Sequence, residues 1–143
     1  MTSKEEHIRK IKKHLAGIND AIDQGIENKP ISIGFHCSAC SVELLELYLH
    51  TINKISIGHM IKHDWFKGPK IEQKIEPLIE RKLKVSFDKK EIIYDLIYKI
   101  EEKRNNLVYG SPTKKTVEEV LNNFLKLKNI LLDLLKEEGV KIE

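Results

Sequence analysis

The sequence has little of what anchors a chain in a membrane or ties it with disulfides. It contains two cysteines in 143 residues, too few for the disulfide framework of a small secreted domain. No apolar run approaches the roughly 18 residues that a membrane-spanning helix needs, and the polar residues 1–6 do not resemble a signal peptide. These absences predict a cytoplasmic protein with no membrane association.

A strong excess of one charge is also absent. Twenty-five basic residues face 22 acidic ones, giving a net charge of +3, which permits nucleic-acid binding without arguing for it. Internal repeats, linkers and low-complexity segments are lacking too. A hydrophobic fraction of 41% with 33% charged residues is typical of a globular chain. The length predicts a single domain over residues 1–143, large enough to bury a core.

The sequence is rich in helical periodicity, because apolar residues recur every three or four positions over long segments. The first segment begins with capping-box spacing from Ser3 to Glu6 and ends at residues 28–30. The second covers about residues 31–53. Its first half carries small side chains, which allow a neighbouring helix to approach closely.

A less regular middle separates these two helices from the remaining ones. Residues 55–70 predict a short helix or turn near 59–64 and then a loop. A helical stripe resumes over about 70–82, where Pro77 kinks or divides it. A strand is conceivable only at 83–86, and four residues without a partner argue against it.

Two long helices complete the chain. Asp88 to Glu91 has the spacing of a second capping box, and Gly110 suits the left-handed position just past a helix end. The last helix begins with Ser111, or with Thr113 or Thr116, as its N-cap and ends at Gly139. The prediction is an all-α fold, an up-and-down helical bundle of four long helices plus one or two short ones. Its core should include Cys37, Cys40, Leu44, Ile97, Ile100, Leu121 and Phe124.

Residues 101–112 hold a polar pattern that helix formation does not require. It resembles the motif of the HEPN superfamily (higher eukaryotes and prokaryotes nucleotide-binding), all-helical domains that often act on RNA. That motif is an arginine, usually an asparagine next, then apolar positions leading to a histidine and a small residue. Five positions of this chain fit the motif, and they are Arg104, Asn105, Leu107, Val108 and Gly110. Tyr109 stands where the family has its histidine.

The resemblance implies an RNA- or nucleotide-binding domain in which Arg104, Asn105 and Tyr109 contact the ligand. In nuclease members the arginine holds the scissile phosphate and the histidine moves the proton of the ribose 2′-hydroxyl, without a metal. Arg104 and Tyr109 are therefore the candidate catalytic residues. A phenol of pKa about 10 is ionised about one part in a thousand at pH 7, so Tyr109 is a poor general base. We expect binding with weak or no nuclease activity.

Two other functions stay open. One is a metal-independent ribonuclease that uses Arg104 with Tyr109 or with a distant histidine. The other is a helical partner protein of a nucleotidyltransferase, as in toxin–antitoxin pairs of the family. The toxin branch has a modified tyrosine two residues after the histidine, and that position is Ser111 here.

Helix geometry bears on how the motif could act. At 100° per residue, Arg104 lies about 140° from Tyr109 around a straight helix, so the two cannot reach one phosphate. They converge if the helix frays at Tyr109 or if a second subunit contributes its copy across a two-fold axis. Family members commonly use the second arrangement, so we expect a homodimer. A structural alternative has Arg104 closing the helix or pairing with Glu43.

The cysteines invite a zinc interpretation. The thiolates of Cys37 and Cys40 and two imidazoles, from among histidines 36, 59 and 63, would satisfy a tetrahedral ion. The cysteines could also form a redox pair. Both cysteines lie inside an apolar helical pattern, where cysteine behaves as a small buried residue. We expect core packing, with no metal and no cofactor.

The remaining histidine patterns are weaker. His59 and His63 could serve as a proton-transfer pair or be structural. His7 and His14 lie seven positions apart on the first helix and are expected to be solvated.

Overall fold

The computed structural model describes residues 3–67 and 76–142, which contain helices and no strand. The α-helices are α1 (Lys4–Asp23), α2 (Pro30–Thr51), α3 (Leu78–Lys82), α4 (Lys90–Tyr109) and α5 (Lys114–Glu137), with 3-10 turns at Ile26–Asn28 and His63–Phe66. The four long helices pack against one another, which confirms the predicted all-α bundle. Over the same residues, no helix combines the length and apolarity that crossing a membrane requires.

Local signals fix several helix ends as predicted. The Ser3 hydroxyl accepts a hydrogen bond from the Glu6 amide at 3.2 Å. Thr113 caps α5 in the same way, so the alternative N-cap is confirmed and Ser111 as the N-cap is wrong. Gly139 follows the end of α5 with φ +82°, while the Val140 amide donates to the Leu135 carbonyl at 2.9 Å. That pattern is a Schellman cap, in which glycine adopts the left-handed conformation freely.

Two predicted boundary residues behave differently. The Asp88 capping box is wrong, because Lys89 precedes α4 with φ 61° and no side chain caps that end. Gly110 is not left-handed but extended, at φ −104° and ψ −157°. A glycine is needed there for a steric reason, since a Cβ would lie 2.6 Å from Asn106 Oδ1 and 2.9 Å from its carbonyl oxygen.

The middle of the chain is only partly described. The helix predicted at 70–82 falls partly on residues 68–75, which lie outside the described ranges, and its described part is α3. Pro77 stands at the N-cap of α3, where its ring interrupts no hydrogen bond of that helix. The turn expected near 59–64 is the 3-10 turn at His63–Phe66, and α1 ends at Asp23, earlier than predicted.

Helix α2 lies at the centre of the bundle, with α1, α4 and α5 packed against it. Its small-sided half allows the close approach that the sequence predicted. A Cβ at Gly34 would lie 2.7 Å from the Leu107 Cβ on α4. Every residue predicted for the core is buried: Cys37, Cys40, Leu44, Ile97, Ile100, Leu121 and Phe124.

Candidate functional site

The HEPN-like residues occupy the C-terminal end of α4. Leu107 is fully buried against Gly34, and this contact sets the rotation of the helix. Asn105 and Tyr109 are exposed one turn apart on the same face, and the Tyr109 residue is 79% exposed. Arg104 is half-buried, and its Nε atom is buried without a hydrogen-bond partner among the described residues. The motif therefore presents one aromatic side chain, one amide and one incompletely paired guanidinium.

The fold brings Asn105 and Tyr109 together but leaves Arg104 on a different side of α4. The helix stays regular through Tyr109, its last residue, so fraying does not bring Arg104 and Tyr109 together. The pairing of Arg104 with Glu43 is wrong. The Glu43 Oε2 atom lies 2.6 Å from His7 Nδ1, and Oε1 lies 3.9 Å from Lys10 Nζ. Glu43 faces α1 rather than α4.

A cavity of about 610 Å³ lies beside the motif. One face of α4 supplies Tyr98, Glu101 and Asn105 to its wall, because these residues recur every three or four positions. The other described lining residues are Phe66, Lys67, Pro77 and Glu102. Asn105 therefore links the exposed end of the motif to an open surface cavity of ligand size.

A histidine–carboxylate pair adjoins this cavity. His63 Nδ1 lies 2.9 Å from Glu101 Oε1, and the Ser38 hydroxyl donates to Glu101 Oε2 at 3.2 Å. A carboxylate at Nδ1 holds that nitrogen as the donor, so that Nε2 can accept a proton. His63 pairs with Glu101 rather than acting with His59. A signal existed in the sequence, because Glu101 follows Ile97 and Ile100 on a buried stripe, and a carboxylate there needs a partner.

A second cluster lies between α1 and α2. His7 is 1% exposed, and besides its contact with Glu43 its Nδ1 atom lies 3.7 Å from Glu46 Oε2. The rings of His7 and His50 are 5.2 Å apart between centroids. The prediction that His7 is solvated is wrong. His7 precedes Ile11 by four positions, so it falls on the stripe that α1 buries.

Burial controls the protonation of this cluster. Removal from water raises the pKa of Glu46 to about 7, opposed by the Ile61 amide, which donates to its Oε1 atom at 2.5 Å. Burial also lowers the pKa of His50, and the neighbouring His7 lowers it further. Both effects favour uncharged forms, as expected in a low-dielectric interior.

His36, which the zinc interpretation grouped with the cysteines, instead contacts α1. His36 Nδ1 lies 2.9 Å from His14 Nδ1, so His14 is half-buried rather than solvated. Burial lowers the pKa of both histidines. Cys37 and Cys40 are buried free thiols, and burial raises the pKa of Cys40 to about 12 and that of Cys37 further. Thiols of such high pKa are poor nucleophiles, which supports the core interpretation of both cysteines.

No protein-family model, curated protein or solved structure matches the chain. The candidate site at the end of α4 therefore depends on its own geometry. The resemblance to HEPN domains stays a prediction from the motif.

Proposed function

We propose that the protein binds RNA or a nucleotide at the end of α4 through Arg104, Asn105 and Tyr109. The observation that carries the proposal is the exposure of the Tyr109 ring on the same face as Asn105. An exposed aromatic face stacks on a base of any sequence. The Asn105 amide, one turn away, offers both a donor and an acceptor to the base or sugar.

Positive groups around the motif favour a phosphate. The Arg104 Nε atom has no partner among the described residues, and a guanidinium binds phosphate oxygens through paired donors. Four residues separate the end of α4 from the start of α5, which has exposed Lys114 and Lys115 in its first turn. The free amides of a helix N-terminus and two lysines attract an anion. Base stacking and phosphate binding can thus occur at one end of the bundle.

We further propose that the functional unit is a homodimer in the cytoplasm. Arg104 and Tyr109 diverge within one chain, and a second copy across a two-fold axis would bring Arg104 of one chain toward Tyr109 of the other. The same end of the bundle exposes Ile31 (60%) and Phe35 (45%) on α2. These apolar side chains flank Gly34, which contacts the end of α4, and suit a subunit interface. Unpaired cysteines are in keeping with a reducing compartment.

The His63–Glu101 pair favours one alternative, a metal-independent ribonuclease. In this reaction His63 Nε2 takes the proton of a ribose 2′-hydroxyl, and the 2′-oxygen attacks the phosphorus held by Arg104. The bond to the 5′-oxygen breaks, that oxygen takes up a proton, and a 2′,3′-cyclic phosphate remains. His63 would then supply the imidazole that Tyr109 cannot replace at pH 7.

Fluorescence anisotropy with a labelled RNA of mixed sequence, in EDTA, tests the binding proposal. Arg104→Ala should weaken binding by about 1.5–3 kcal/mol, the usual worth of a charge-assisted hydrogen bond. Tyr109→Phe should lose less, because stacking remains. Arg9→Ala removes the same charge from an exposed position on α1 and serves as the matched control. Equal losses in Arg104→Ala and Arg9→Ala would show that Arg104 contributes only general positive charge and does not contact a phosphate.

Single-turnover cleavage of the same RNA in EDTA separates binding from catalysis. Binding with little cleavage is expected from wild type, and Tyr109→His should create or increase cleavage by restoring the family motif. Cleavage by wild type that His63→Gln abolishes would replace the binding proposal with the ribonuclease. If no variant binds or cuts, both proposals fail and the partner-protein function takes their place.

A further inference from the structure

The buried cluster between α1 and α2 brings metal-ligating groups together. His7, Glu46 and His50 are all buried, and one ligand atom from each lies within 4.8 Å of the other two. Two of the residues lie one turn apart on α2, and the third comes from α1. We propose that these residues bind a single divalent transition-metal ion of the zinc class. The site is separate from the cysteines on which the zinc interpretation of the sequence depended.

Unpartnered nitrogens point to a missing ligand. His7 Nε2 and both ring nitrogens of His50 are buried without a hydrogen-bond partner among the described residues, and the two residues are only 1% and 5% exposed. Buried polar atoms without partners are rare in folded proteins, and each one requires an explanation. A neutral imidazole has one lone pair, so an ion would bind one of these nitrogens from each ring. The second nitrogen of His50 carries the ring proton and would stay outside the coordination sphere.

The groups behind the proposed ligands are arranged to orient them. Glu43 Oε2, at 2.6 Å, holds His7 Nδ1 and leaves Nε2 free to bind an ion, as metal-binding histidines require. The Ile61 amide occupies Glu46 Oε1 and leaves Oε2 available. A divalent ion would also compensate the charge of the ionised Glu46 carboxylate, which is buried.

The ligand types favour zinc or another borderline ion over magnesium or calcium. Two imidazole nitrogens and one carboxylate oxygen suit a transition metal and leave a coordination position open. Magnesium and calcium prefer oxygen ligands. Glu43 and Glu46 also line a surface cavity of about 320 Å³ together with Met60 and Ile61, which offers a route for the ion and room for a water molecule.

Titration of metal-free protein with cobalt(II) tests the site, because tetrahedral cobalt has visible absorption bands that zinc then abolishes by displacement. One ion per chain is expected, and His50→Ala should reduce the affinity at least about 100-fold. Glu46→Gln keeps the side-chain volume and should also weaken binding, so the test stands if a histidine variant fails to fold. The matched control replaces His14 and His36 with Gln. These two histidines also join α1 to α2 but have no carboxylate ligand.

Absence of a cobalt spectrum in wild type would overturn the proposal. So would unchanged binding in folded His50→Ala and Glu46→Gln, or loss of binding in Cys37→Ser with the histidine variants unaffected. The EDTA in the RNA assays removes divalent ions, so those assays test the binding proposal independently of the metal site.

Discussion

The end of α4 and the cluster between α1 and α2 are built in opposite ways. The first takes its polar residues from six consecutive positions and exposes Tyr109 to solvent. The second joins His7 to residues more than 35 positions away and buries them. A short sequence motif identifies residues but not the directions in which their side chains point. A site at a helix interface, by contrast, forms only once the helices pack. The exposed end of α4 is suited to a large ligand, and the buried cluster between α1 and α2 is suited to an ion.

Removing the His7 side chain should have the largest effect on the free energy of unfolding. Compared with a substitution at the end of α4, it tests whether the two regions differ in their contribution to stability. His7→Ala deletes a buried ring and leaves Glu43 and Glu46 without their imidazole neighbour. In metal-free protein we expect a loss of about 2–4 kcal/mol in the free energy of unfolding. Urea denaturation followed by circular dichroism measures this loss.

Tyr109→Ala is the matched control for the exposed region. It should change the free energy of unfolding by no more than about 0.5 kcal/mol, because the side chain is exposed. A loss of similar size in both variants would remove the distinction between a structural cluster and a surface available to a ligand.

A pair of glycines tests whether α2 supports the motif. Gly34→Ala should destabilise the protein by about 1–2 kcal/mol, because the overlap with the Leu107 Cβ outweighs the better helix propensity of alanine. It should also weaken RNA binding, since α4 must shift. In Gly17→Ala the new methyl would meet the His36 ring, which can rotate away, so stability and binding should change less. Equal effects on RNA binding would contradict a role for the Gly34–Leu107 contact.

The smallest effect concerns pH. Burial lowers the pKa of both His14 and His36 in the folded protein. At His14 the neighbouring His36 and Lys10 lower the pKa further, while Glu43 raises it. At these two histidines the unfolded chain therefore binds more protons below about pH 6.5, and the stability that they contribute should fall as the pH falls from that value. The raised pKa of Glu46 acts in the opposite direction, so the contribution of the two histidines is the difference between wild type and a variant that lacks them. Urea midpoints at several pH values measure the slope, and replacing both histidines with Gln should reduce it. If the double variant keeps the wild-type slope, groups other than these two histidines cause the pH dependence.

The sequence predicted much of the fold because its signals are local. The Ser3 cap, the Gly139 ending and the small-sided half of α2 each depend on neighbouring residues. The Asp88 cap failed because the chain enters α4 through a left-handed Lys89, a conformation that spacing does not reveal. His7 and Glu101 were missed for another reason. Their partners are remote in sequence, and only their positions on apolar stripes signalled that they would be buried.

The central position of α2 has a consequence for hydrogen exchange. Three helices cover α2, and fourteen of its residues are buried, so most of its amides exchange only when the whole bundle opens. The segment that follows α2 in the chain exposes Ile57 and Met60 and can open locally. The Ile61 amide is bonded to the buried Glu46 and should exchange on the timescale of the helices, well behind its neighbours in the chain.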